Sequence, residues 1–170
     1  MKEPIAEQGT DRSQRMSLIV TKGTLDWAYP PFTLATTAAA MGFDVSMFFT
    51  FYGLPLLLKD LDLPLSSLGN PAMKMPIGGR QVGLPNALTV LPGMDRTTAA
   101  MMKKRMASKG IASIEELRAT AVESGVRLIA CQMTVDLFDF AMDDMIDGVE
   151  LGGSATYIEA ASQAGINLFI

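Results

Sequence analysis

The sequence predicts one α/β domain built as an open, doubly wound sheet of about five parallel strands with helices on both faces. Three observations carry that reading. Short apolar runs rich in β-branched residues alternate with segments of helical periodicity, the signature of strands joined by crossover helices. At 170 residues the chain fits one core and can bury roughly two thirds of its unfolded surface. No repeat of 20 to 50 residues is present, which argues against a solenoid or propeller.

The elements follow in order. MSLIVTK, Met16 to Lys22, is a compact apolar run closed by Gly23 and reads as a buried parallel strand. In AYPPFTLATTAAAMG, from Ala28, Pro30 and Pro31 suit a first helical turn and Gly42 a C-terminal cap. DVSMFFTFY, from Asp44, is the second strand, and GLPLLLKDL a short helix after it. Asp62 to Pro85 carries proline and glycine every few residues and is expected to be a long excursion with little regular structure. NALTVLPG, Asn86 to Gly93, is expected as the third strand, before a helix from Met94 that stops at Gly110. Ser113 and Glu116 form a capping-box pattern that starts the next helix. VRLIAC gives a fourth strand, MTVDLFDFAMDDM a helix, SATYIEAASQAG another helix, and INLFI the last strand. Residues 1–15 are polar and expected to be a loose tail, leaving 16–170 as the single domain.

Composition removes several function classes. The net charge is −4, which offers no footprint for nucleic-acid phosphates. The longest apolar run, Val45 to Leu58, contains Gly53 and Pro55 and is shorter than the ~20 residues that cross a bilayer, so no membrane partner is expected. The N-terminal residues lack the apolar block of a secretory signal, and a single cysteine forms neither an internal disulfide nor a paired-thiol redox motif. A cytoplasmic protein is expected.

That cysteine, Cys131, lies in RLIACQMTVDLF, where a strand pattern gives way to a helix pattern. Ligands in doubly wound sheets sit at the carboxyl ends of the strands, which is where this thiol falls. A free cysteine is as often inert packing, so position alone leaves both readings open. A thiol beside a helix N-terminus is favoured as thiolate by unpaired N–H groups, whereas Asp136, Asp139, Asp143, Asp144 and Asp147 would oppose ionisation if they came close. The aspartates read as a solvated face rather than a metal site. The chain has no histidine, which excludes a Cys-His hydrolase. What remains for a lone thiol is carrying a group as a persulfide, a thiosulfonate or a mixed disulfide.

Four stretches, TKGTLDWAYPPFTLATTAAAMGFDVSMFFTFYGL, MMKKRMASKGIASIEEL, IACQMTVDLF and IDGVELGGSATYIEAA, together resemble the DsrE/DsrF-like sulfur-carrier family, in the branch associated with sulfur oxidation and rhodaneses. The resemblance spans Met16 to Ile170. It implies a flavodoxin-like α/β fold, homo- or hetero-oligomers, and cytoplasmic sulfur transfer with a TusA-like protein or a rhodanese, and it places the sulfur-carrying residue at Cys131. Two departures stand out. Asp139 occupies a place where relatives commonly have glycine, and a second cysteine that some relatives have is absent. On this reading Cys131 takes sulfur from a donor such as thiosulfate, tetrathionate or polysulfide. Backbone N–H groups of Gln132, Met133 and Thr134 would stabilise its charge. Tyr29, Pro30, Phe51 and Tyr52 would wall the pocket.

A non-catalytic oligomeric scaffold with Cys131 as packing is the competing reading, favoured by an apolar content of 49%. Flavin or nucleotide binding has only the fold behind it, since no phosphate-binding glycine motif is present. Copper(I) binding by the methionines, among them Met73, Met75, Met101, Met102 and Met106, is weaker than their use as adaptable core filling. No cofactor and no metal are expected. The run Lys103, Lys104 and Arg105 reads as a solvated helix face.

Overall fold

The computed structural model describes residues 14–66, 74–77, 80–83 and 94–170. In chain order they form β1 (Arg15–Val20), α1 (Leu25–Ala40), β2 (Asp44–Phe49) and a 3-10 turn (Phe51–Leu57). A hairpin of β3 (Lys74–Ile77) and β4 (Arg80–Gly83) follows, then α2 (Met94–Ser108), α3 (Ile114–Glu123), β5 (Arg127–Cys131) and α4 (Gln132–Leu137). A second 3-10 turn (Met142–Asp144), β6 (Val149–Gly152), α5 (Ser154–Gln163) and β7 (Ile166–Phe169) complete the order. The five-stranded sheet runs β6-β5-β2-β1-β7 with every pairing parallel, so the expected α/β class holds.

Strand periodicity sorts the side chains onto two faces. Leu18 and Val20 of β1, Met47 and Phe49 of β2, and Leu128 and Ala130 of β5 point to one face, where Phe32 of α1 and Ala121 of α3 close a large apolar core. Phe32 and Phe49 meet with ring centroids 5.9 Å apart. Residues in between point the other way: Phe48, Ile129 and Cys131 form a small second cluster, with Ile19 and Tyr157 of α5 against it.

Several elements differ from the sequence expectation. Helix α1 starts at Leu25, one turn earlier, with Thr24 as an extended N-cap, and carries Pro30 and Pro31 in its interior. Gly42 closes it at φ +86° as expected. Strand β2 ends at Phe49, because Phe51 turns the chain at φ +47°. The excursion expected to lack regular structure holds the antiparallel β3-β4 hairpin. The strand expected over Asn86 to Gly93 lies outside the described residues. The helix expected from Met133 to Met145 stops at Leu137, because Asp139 adopts φ +52° and Phe140 N–H bonds back to Val135 O at 3.0 Å, a left-handed helix end. The fifth strand of the sheet is β6, whose four residues VELG include a glutamate and were too short and polar to read as a strand. The Ser113 capping box is formed, with Glu116 N–H donating to Ser113 Oγ at 3.1 Å and Ser113 N–H to Glu116 Oε2 at 2.7 Å.

At the carboxyl edge, the loops after β1 and β2 cross backbone to backbone. A Cβ on Gly23 would lie 2.2 Å from Tyr52 O, and one on Gly53 2.3 Å from Val20 O. Only glycine permits the crossing, and it fixes where Thr50 and Phe51 sit.

Candidate functional site around Cys131

Cys131 ends β5 and is the N-cap residue of α4. Its register partner on β6 is Gly152. The residue is 3% exposed, on the face covered by α5. Although α4 has only six residues, too short for a strong macrodipole, the N-cap position sets a side chain against the second and third N–H groups of the helix. Burial pushes the thiol's pKa up. The nearby donors on Thr134 (hydroxyl and N–H), Thr50 (hydroxyl) and Met133 (N–H) favour the charged form and outweigh burial, and the net direction is down, toward thiolate. The Cys131 side chain makes no capping hydrogen bond.

Around it, Thr134 is fully buried and accepts a hydrogen bond from Phe51 N–H at 3.1 Å. Its Oγ1 lies 3.1 Å from Thr50 Oγ1. Of the three backbone groups expected to face the sulfur, those of Met133 and Thr134 favour its charge. Gln132 instead turns its side-chain amide to Asp136 Oδ1 at 2.7 Å. That bond occupies the nearest aspartate on α4, and among the described residues no carboxylate contributes to the thiol's shift.

The four residues expected to wall the pocket separate into two pairs. Phe51 and Tyr52 lie beside the thiol's loop: the Phe51 N–H reaches Thr134, and the Tyr52 ring meets Phe138 with centroids 6.1 Å apart. Both side chains are exposed, as are Met133, Leu137 and Phe138. Tyr29 and Pro30 are directed elsewhere. The Tyr29 hydroxyl donates to Ala112 O at 3.1 Å, and its ring lines a separate cavity of about 740 Å³ with Lys103, Met106, Ile111 and Ile114. Pro30 is exposed on α1. Thr50 carries no signal in the sequence. Nothing in a threonine at a strand end marks it, and its relevance depends on β2 and β5 being neighbours.

Among the described residues no three cysteine, aspartate or glutamate side chains are grouped to hold a metal ion, and no helix is long and apolar enough to cross a membrane.

The chain is 54% identical over 157 residues to "Sulfur carrier protein DsrE2" of Allochromatium vinosum (strain ATCC 17899), covering 92% of this chain and 98% of that one. It is 30% identical over 164 residues to the protein YrkE of Bacillus subtilis (strain 168), covering 95% and 99% respectively. Among solved structures, MTH1491 from Methanobacterium thermoautotrophicum superposes with a TM-score of 0.52 at 10% identity, over 93% of this chain and all of that one, a likeness of fold. The model of the DsrE/DsrF/DrsH-like family matches residues 12–169, which span the whole sheet and the Cys131 loop, and the chain therefore belongs to that family.

Proposed function

We propose that the protein is a cytoplasmic sulfur carrier with sulfurtransferase character, in which Cys131 holds sulfane sulfur or thiosulfonate and passes it to a thiol of a partner protein. The observation that carries the reading is the placement of the only cysteine at the carboxyl end of β5, among donors that favour its thiolate. The name of the A. vinosum relative agrees with it.

In the loading step the Cys131 thiolate attacks the outer sulfur of a donor persulfide. A new S–S bond forms, the donor's S–S bond breaks, and the donor thiolate leaves with the electron pair, so no external oxidant or reductant is consumed. With one cysteine in the chain, the bound sulfur has no internal thiol to resolve it and leaves to an external one.

The surroundings favour a protein as partner, of the TusA-like or rhodanese kind. Beyond Arg127 the chain carries Asp136, Asp139, Asp143, Asp144, Asp147, Glu150 and Glu159 and neither lysine nor arginine. Small anions such as thiosulfate or tetrathionate approach against that field, whereas a basic margin on a partner approaches with it. Added salt is expected to speed loading by the small anions and slow transfer with a basic partner. Exposed Ile158 on α5 and Phe169 on β7 supply apolar surface for a homo-oligomer.

The test is intact-protein mass spectrometry of wild type and Cys131→Ser after incubation with polysulfide, tetrathionate or a persulfidated TusA-like protein. A reductant-reversible mass gain confined to the wild type is the expected result. The burial of the thiol favours a second reading, a scaffold in which Cys131 only packs. Absence of any adduct with every donor would establish that reading instead.

A further inference from the structure

Thr50 and Thr134 stand 84 residues apart in sequence, and their hydroxyl oxygens are 3.1 Å apart at the end of the sheet. A threonine hydroxyl has one proton and two lone pairs. Phe51 N–H can only donate, and it fills one lone pair of Thr134 Oγ1. Between the two hydroxyls one must donate to the other. If Thr50 donates, both lone pairs of Thr134 are filled and the Thr134 proton is left for the sulfur. If Thr134 donates, the Thr50 proton is left. Among the described residues the two hydroxyls have no hydrogen-bond partners besides Phe51 N–H and each other, and both lie close enough to Cys131 to favour its thiolate.

The local backbone is consistent with this use. Thr50 is the N-cap of the 3-10 turn, where its hydroxyl would ordinarily cap, yet it makes no capping bond and faces across to Thr134. Phe51 holds φ +47°, a conformation that costs a non-glycine residue on the order of 1–2 kcal/mol. That conformation aims its N–H at Thr134.

We infer that Thr50 is a positioning residue for Cys131: with Phe51 N–H it arranges the buried Thr134 hydroxyl so that the pair always offers one proton to the sulfur. The inference deepens the carrier reading and rests on it for its purpose, since a persulfide formed by thiolate attack needs the anion at neutral pH. No titratable group on the elements around the sulfur contributes to its shift. Asp136 of α4 takes the Gln132 amide, Tyr157 of α5 sets its ring on Phe48 and its hydroxyl toward Ser17, and Tyr52 lies exposed on the 3-10 turn. Strand β6 contributes only Gly152 at that level.

The experiment follows the ultraviolet absorbance of the thiolate against pH in the full chain, with Cys131→Ser subtracted to remove tyrosine ionisation. It needs no reagent to reach the buried sulfur. Thr50→Val is expected to move the ionisation midpoint up by about one pH unit, the loss of one hydrogen bond to a charged group, and Thr50→Ser to keep it at the wild-type position. Thr134→Val is expected to move it at least as far. A midpoint unmoved in Thr50→Val, or moved equally in Thr50→Ser, would overturn the inference. Urea unfolding of the same variants separates a general loss of structure from a local one, because a merely structural role would lower stability without rescue of the midpoint by serine. Mass spectrometry with sulfur donors fails or succeeds independently of this titration, so failure of the carrier reading and failure of the positioning role give different results.

Discussion

The two faces of the sheet are built to different standards. One carries Leu18, Val20, Met47, Phe49 and Leu128 in a continuous buried core, closed by Phe32 of α1 and Ala121 of α3. The other buries Phe48, Ile129 and Cys131 under α5, a helix with no fully buried residue of its own. The same strands supply both, since alternate residues point to opposite sides. The difference assigns stability to the first face and leaves the second, less densely covered, as the face that holds the thiol.

The largest test of that contrast is a matched pair of truncations. Phe49→Ala removes a fully buried ring packed on Phe32 and is expected to cost about 3–5 kcal/mol in urea unfolding. Phe48→Ala, one residue away on the α5 face, is expected to cost less, about 3 kcal/mol at the low end of that range, because the thinner cover can settle into the space. Equal losses would erase the distinction between the faces.

Next is Arg118, a buried cation on α3 whose guanidinium donates to the carbonyls of Leu56 at 3.0 Å and Leu58 at 2.5 Å. It ties the 3-10 turn to the first face. Arg118→Ala would leave those carbonyls without their donor and is expected to cost about 2 kcal/mol. The Cys131 ionisation midpoint should stay in place, because Thr50 is held separately by the Val20 carbonyl at 3.0 Å.

A smaller effect of opposite sign is expected at Asp139. Its φ of +52° carries the strain of a left-handed residue, roughly 1 kcal/mol, and glycine relieves it while returning about half to unfolded-state entropy. Asp139→Gly should therefore raise stability by about 0.5 kcal/mol, and a loss would mean that the carboxylate makes a contribution of its own.

The smallest is a pH effect. Burial raises the thiol's pKa and the threonine and amide hydrogen bonds lower it further, so the folded value lies below the unfolded one. Ionisation then favours the fold: the contribution is complete above the unfolded thiol's range of about 8.5 and is lost as pH falls through the folded value. The stability of wild type relative to Cys131→Ser should grow with pH across that window. A difference that stays flat would remove the thiolate's stabilisation from the second face.

How much of this was legible varied with the physics involved. Compact apolar runs such as MSLIVTK and VRLIAC marked β1 and β5, because a strand buried on both faces needs no neighbour to announce itself. The Ser113 box and Gly42 marked helix ends, because caps are local hydrogen-bond and φ requirements. The strand VELG was illegible, since four residues become a strand only when β5 offers a ladder beside them. The early end of α4 was hidden as well. Aspartate tolerates the left-handed region but does not signal it, and only the glycine expected from relatives hinted at the position of Asp139.

By itself the sequence determined the α/β class, the single thiol and its place at the end of a strand, the absence of histidine chemistry, and the acidic character of the C-terminal third. These are properties of residue type and of short-range periodicity. The tertiary structure decided which side chains meet that thiol. It set β2 beside β5, bringing Thr50 and Phe51 to Thr134 and Cys131, and it sent Tyr29 to a different cavity. The reason is physical: contacts between residues 84 positions apart are fixed by strand order and by the glycine crossing that holds the loops, and neither is written in any local pattern.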